Sequence, residues 1–134
     1  MIERLALFLM LAGLALIAYA GFRRWQVWRA CRSAPGDPLL VRLRPGIPAV
    51  LYFTTPSCAP CRFQQRPAIA ALLHELGDRV QVIEVDAQEQ PDAAARWGVL
   101  SVPTTFILDR TGRPRACNNG VAGLDRLRQQ LTSL

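Results

Sequence analysis

The sequence predicts an α/β layer domain behind a single membrane-spanning helix. Three observations carry that reading. An apolar run near the amino end is long enough to cross a bilayer. From residue 48 onward the hydrophobic period alternates between strand and helix spacing. A Cys-x-x-Cys pair falls where the first clear strand hands over to the longest helix of that region.

Leu5 to Phe22 is 18 residues without a charge. As a helix it spans roughly 27 Å, close to a bilayer's hydrocarbon thickness. Arg23 and Arg24 close it, and Trp25 and Trp28 follow at the depth of an aromatic belt. An all-round apolar helix could instead hide in the core of a large protein, but a chain of 134 residues offers no such core. Cleavage as a signal peptide competes with a retained anchor, with Ala18-Tyr19-Ala20 as the small-x-small site. The weakly charged start Met1-Ile2-Glu3-Arg4 and the arginines after the cut favour the anchor. Arg23, Arg24, Arg29 and Arg32 lie after the span and Arg4 before it. The positive-inside rule therefore places the domain on the cytoplasmic side, the extracytoplasmic face being the alternative. Residues 1–32 are read as anchor and basic juxtamembrane segment, 33–47 as linker, and 48–134 as the globular domain.

Within the domain, Ala49 to Phe53 is a short β-rich apolar run bounded by Pro48 and Pro56, a buried strand. Arg62 to Leu76 places Phe63, Ile69, Leu72, Leu73 and Leu76 at helical spacing, with a kink expected at Pro67 and a stop at Gly77. Val80 to Val85 is a second strand, and Asp92 to Trp97 a short helix ending at Gly98. Thr104 to Leu108 is a third strand. Thr111-Gly112 is a turn, Arg115 to Asn118 an edge strand, and Leu124, Leu127, Leu131 and Leu134 stripe a closing helix. Leu39 to Leu43 is expected to add one more strand. Strand–helix–strand followed by a hairpin and helix is an α/β layer arrangement.

Composition excludes several chemistries. All 16 basic residues are Arg, so Schiff-base and P-loop lysines are absent; a single His, His74, removes a multi-histidine metal site. The net charge of +6 resides mostly in residues 1–45, with 7 Arg against 2 acidic residues; residues 46–134 carry 9 against 8. A nucleic-acid reader would carry its basic residues on the folded domain, so no nucleic-acid partner is expected. Four Cys are too few for a disulfide-dense scaffold.

Cys58-Ala59-Pro60-Cys61 carries the chemistry. Free N–H groups and the dipole at a helix N-terminus stabilise a thiolate, and the first thiol of such a pair is acidified. Cys58 can attack a disulfide, and Cys61, one turn on, can close the ring and release the product. Pro60 suits the first turn. Two other readings stand beside this one: a buried thiol pair, and half of a zinc site or metal chaperone, which would need further ligands from Cys31, Cys117 and His74. Cys31 and Cys117 are read as bystanders, and His74 as a helix-surface residue.

Taken with Val102-Pro103-Thr104, 42 residues after Cys61 and just ahead of a strand, the pattern resembles the thioredoxin family. The matching stretches are Val50-Leu51-Tyr52-Phe53, the Cys58–Cys61 motif, Val82-Ile83-Glu84-Val85-Asp86, Trp97 to Phe106, the turn Asp109 to Gly112, and Gly120. The resemblance implies a thioredoxin-like fold over 48–134, a central mixed sheet flanked by helices with the first strand and helix shortened. It implies Cys58 as nucleophile, Cys61 as resolving thiol, and a cis Pro103 facing the cysteines. Val102 and Pro103 then shape the groove that pairs with substrate backbone. It also implies protein dithiols and disulfides as substrates, a redox partner protein, and no bound cofactor beyond the disulfide. Reductant or oxidant is left open, and a fold that binds a partner without turnover is a further alternative. The departures are Ser57 where many members have Trp, Tyr52 where many have a buried Asp, and Val82 in place of its Lys. Glu84, on the strand face of Val82, is the candidate proton acceptor; a solvated strand carboxylate is its plainer reading.

Overall fold

The computed structural model describes all residues from Met1 to Leu134. The chain folds into four strands, β1 (Ala49–Thr54), β2 (Gln81–Asp86), β3 (Thr104–Leu108) and β4 (Pro114–Asn119). Four helices accompany them, α1 (Ile2–Ser33), α2 (Arg66–Leu76), α3 (Pro91–Arg96) and α4 (Leu124–Thr132). The sheet order is β2-β1-β3-β4, with β1 parallel to β2 and antiparallel to β3, and β3 antiparallel to β4.

Strand alternation assigns the two faces. Leu51, Phe53, Ile83, Val85, Phe106, Leu108 and Cys117 face α1 and α3, where Ala30, Ala34, Ala93 and Trp97 complete one core. Val50, Tyr52 and Ile107 face α2 and α4, meeting Ile69, Leu72, Leu127 and Leu131. Trp97 packs edge-on to Phe106 at 5.2 Å, and its indole N–H donates to the buried Asp37 carboxylate at 3.0 Å. Asp37 also takes the Leu39 N–H and the Arg96 guanidinium, so a side chain from the connecting segment closes this core.

α1 does two jobs. Its apolar part, with mean hydropathy 2.3 over an 18-residue window, has no buried residue. Its last part turns Gln26 and Ala30, both fully buried, onto the sheet. The continuation of the apolar helix thus joins α3 in the helical layer over this sheet face, and no strand precedes β1. Leu39 to Leu43 does not form the expected strand: Pro38–Arg42 is a turn of 3-10 helix. Asp37 caps it by accepting the Leu39 N–H at 2.9 Å, and Pro38 supplies the fixed φ of a first-turn residue. The distortion expected at Pro67 sits one turn earlier. Cys61–Gln65 is a π-helical turn in which the Arg66 N–H reaches back to the Cys61 carbonyl. A proline lacks the N–H that would bond four residues back, so the preceding turn widens.

Candidate active site

β1 ends at Thr54 and delivers Cys58 to the start of the π-helical turn. Cys58 and Cys61 are joined by a disulfide, with S–S 2.09 Å and Cα–Cα 5.3 Å. Their environments differ. Cys58 is half-buried, whereas Cys61 is 1% exposed and packs in the core beneath α2. The Cys61 N–H donates to Sγ of Cys58 at 3.2 Å. That bond, together with the helix dipole, stabilises negative charge on Cys58 once the disulfide is opened.

Tyr52 lies under the pair, 1% exposed, its hydroxyl donating to the Cys61 carbonyl at 3.4 Å. Burial pushes the phenol above its ordinary pKa, with the Glu84 charge adding to the rise. It is a neutral donor at physiological pH. Gln65, fully buried in the π turn, holds the loop before α4 from both sides. Its amide donates to the Ala122 carbonyl at 3.0 Å and its carbonyl accepts the Ala122 N–H at 2.8 Å. A shallow depression of about 340 Å³ beside the disulfide is lined by Thr54, Thr55, Pro56, Arg62 and Arg66.

The Val102–Pro103 peptide bond is cis, and Pro103 is buried at the head of β3, next to the strand that leads to Cys58. Its carbonyl accepts the Gly120 N–H at 2.9 Å. Val102 packs against the same cluster as Cys58. Glu84 is paired with Tyr52 across β1 and β2, but its carboxylate turns to Arg66 at 2.6 Å and half-faces solvent; it makes no hydrogen bond to either cysteine. Cys31 is free, its thiol donating to the Pro114 carbonyl at 3.3 Å. Cys117 is free and buried, and burial pushes its thiol up to about 11, with Arg23 opposing the shift. No group of three or more His, Cys, Asp and Glu side chains is placed to hold a metal ion.

Sequence reasoning did not find the double hold of Gln65 on Ala122 or the Tyr52 contact with Cys61. Tyr52 was within reach, because β1 alternation puts it on the face of Val50, toward α2. Gln65 gave no signal, since a polar residue in a helix is ordinarily read as exposed.

A mixed four-stranded sheet, a Cys-x-x-Cys disulfide at a helix start and a cis-proline at the head of β3 define a redox-disulfide α/β domain. The thioredoxin family model matches residues 43–133, about two thirds of the chain, and this chain belongs to the thioredoxin family. Thioredoxin 1 of Synechococcus elongatus is 34% identical over 65 residues, covering 48% of this chain and 60% of the relative. The chloroplastic M-type thioredoxin of Chlamydomonas reinhardtii is 30% identical over 92 residues, 67% of this chain and 65% of the relative. The chain thus spans less than two thirds of these relatives. Among solved structures, Fasciola hepatica thioredoxin superposes with TM-score 0.57 at 28% identity, covering 66% of this chain and 82% of that one. An uncharacterised thioredoxin-like protein of Clostridium perfringens gives TM-score 0.62 at 24% identity, covering 71% and 76%, a likeness of fold.

Proposed function

We propose that this protein is a membrane-anchored thiol–disulfide oxidoreductase acting through Cys58 and Cys61. The carrying observation is the asymmetry of the pair, an accessible Cys58 receiving the Cys61 N–H and a buried Cys61. In the oxidising direction a substrate thiolate attacks Sγ of Cys58. The Cys58–Cys61 bond breaks, and its electron pair leaves on Cys61, which gains a proton. A second substrate thiolate then displaces Cys58. The substrate loses two electrons and two protons to the pair, and the reducing direction reverses the same steps. Val102 and Pro103 form the groove beside the sulfurs, and the substrates are protein dithiols or disulfides served by a redox partner protein. The dithiol itself carries the electrons, so no bound cofactor is needed.

Cys61 lines the depression with Arg62 and Arg66, and the side-chain hydroxyl bonded at its carbonyl is the neutral Tyr52 phenol, so its proton passes through water at that depression. Glu84 acts there at most through Arg66, as a positioning charge. Leu5–Phe22 holds the domain at a bilayer, with the arginine-rich flank on the cytoplasmic side; its uniform exposure and the charge contrast support this.

The test of activity is turnover of a protein disulfide by the full chain, abolished in Cys58→Ser and in Cys61→Ser. Turnover surviving both substitutions would refute it, and partner capture without turnover would favour the binding-module reading. A reporter fused after Leu134 and mass analysis of the mature amino terminus test the topology. An extracytoplasmic signal would reverse the orientation, and a mature chain beginning at Gly21 would remove the anchor.

A further inference from the structure

α1 passes from the apolar segment into the domain as one unbroken helix. Three contacts hold it on β4. The Arg23 guanidinium donates to the Cys117 carbonyl at 3.0 Å, Gln26 and Asn119 exchange two amide hydrogen bonds, and the Cys31 thiol donates to the Pro114 carbonyl. The long Arg23 side chain reaches past Asn119 to Cys117, but Gln26 meets Asn119, Cys31 meets Pro114 and Ala34 shares a cavity with Thr111, so from Gln26 onward the helix runs back along the strand and α1 and β4 are antiparallel. The C-terminal end of β4 therefore lies where α1 enters from its apolar part. The hairpin turn at Thr111 and Gly112 lies at the other end, sharing a cavity with Cys31, Ala34 and Gly36.

Strand register carries that polarity to the disulfide. Asn119 pairs with Thr104, and Thr104 with Phe53. The end of β4, the start of β3 and the end of β1 lie at one end of the sheet. From that end extend Pro103, bonded to Gly120, and the segment bearing Cys58. Gln26 is four residues past Phe22, roughly 6 Å along the axis. The polar interface of a bilayer leaflet is about 5–8 Å deep. With Ala30 fully buried and the Gln26–Asn119 pair closed, there is no linker in which the domain could swing away.

We propose, resting on the anchored-oxidoreductase reading, that the Cys58–Cys61 disulfide opens toward the bilayer surface. Its substrate class is then cysteines that a membrane-embedded protein holds at that surface, in place of the cysteines of freely diffusing proteins. The surface of this end fits such a partner: Phe63, Leu100 and Val121 are apolar and 70%, 75% and 40% exposed, and Arg62 and Arg66 stand beside the sulfurs. A rigid mount restricts the reach of the active site but raises the effective concentration of a target in the same plane.

Two measurements on the full chain in phospholipid vesicles test this. A fluorophore is placed at Val121→Cys or at Thr111→Cys, each in a Cys31→Ser, Cys58→Ser, Cys61→Ser background with Cys117 buried, and quenched by a headgroup nitroxide lipid. The two ends of the sheet are about 17 Å apart over five strand residues. Quenching several-fold stronger at 121 is expected; equal or reversed quenching overturns the proposal. The second measurement compares exchange with a disulfide set at the interface on a membrane-spanning peptide and with the same disulfide on a long polar tether. The wild type is expected to favour the interfacial disulfide by roughly tenfold, and a Gly/Ser segment inserted between Phe22 and Arg23 to erase that preference. Equal preference in both proteins overturns the proposal. Vesicle flotation and exchange with a small aromatic disulfide report on the underlying reading separately. Failure of either removes that reading and this inference with it, whereas success of both with no depth preference removes this inference alone.

Discussion

Gln26 on α1 and Asn119 at the end of β4 hold each other through reciprocal amide hydrogen bonds of 3.0 and 2.6 Å. Gln26 is fully buried, and its carbonyl also faces the Cys117 thiol at 3.8 Å. This pair ties the apolar helix to the end of the sheet from which the disulfide segment extends.

Gln26→Leu should therefore cost about 1–3 kcal/mol, because Asn119 loses a buried partner it cannot replace. Chemical denaturation in detergent micelles should show a lower midpoint, with disulfide exchange in micelles retained. An unchanged midpoint would mean that water serves Asn119 equally well.

The dithiol should be unequal in reactivity. After reduction, Cys58 is the half-exposed sulfur that receives the Cys61 N–H, and Cys61 is shut into the core. Limiting alkylation near neutral pH should label Cys58 first. Cys117 should stay unlabelled, since burial raises its pKa to about 11. Labelling of Cys61 ahead of Cys58 would reverse their roles.

Acid should loosen the α1–α3 side first. Burial works against the Asp37 carboxylate, but the Arg96 guanidinium and the Leu39 and Trp97 N–H groups outweigh it and hold its pKa below the ordinary 3.8. A carboxylate whose pKa is lower folded than unfolded stabilises the fold above the unfolded value. That contribution fades as pH falls from 3.8 toward the folded value. Asp109, receiving Thr111, Arg113 and Arg115, behaves in the same sense. Asp37→Asn should be less stable than wild type at pH 7, and the gap should narrow as pH drops below 4. A gap constant with pH would show that Asp37 contributes only as a hydrogen-bond acceptor.

The strands were legible because β1 and β3 are short apolar runs with sharp Pro and Thr boundaries, and the dithiol because its spacing places it at a helix start. Val102-Pro103 was legible only through family resemblance. The segment Leu39–Leu43 misled because its apolar content suits a strand, while the deciding feature is local: Asp37 capping a turn begun by Pro38. The second role of α1 was hidden for a different reason. Arg23, Arg29 and Arg32 mark residues 23–33 as a basic flank, yet the face carrying Gln26 and Ala30 belongs to the core. Hydropathy averages over faces and cannot see a buried glutamine whose partner lies 93 residues away.

The proposed exchange rests on Cys58 as the attacking and Cys61 as the resolving thiol. The most direct measurement is capture by the Cys61→Ser variant, with Cys58→Ser in parallel, each expressed as the full chain in cells and resolved without reductant. Cys61→Ser should accumulate reductant-sensitive mixed disulfides through Cys58, and Cys58→Ser should accumulate none. Mixed disulfides formed through Cys61 in Cys58→Ser, with Cys61→Ser empty, would contradict these roles.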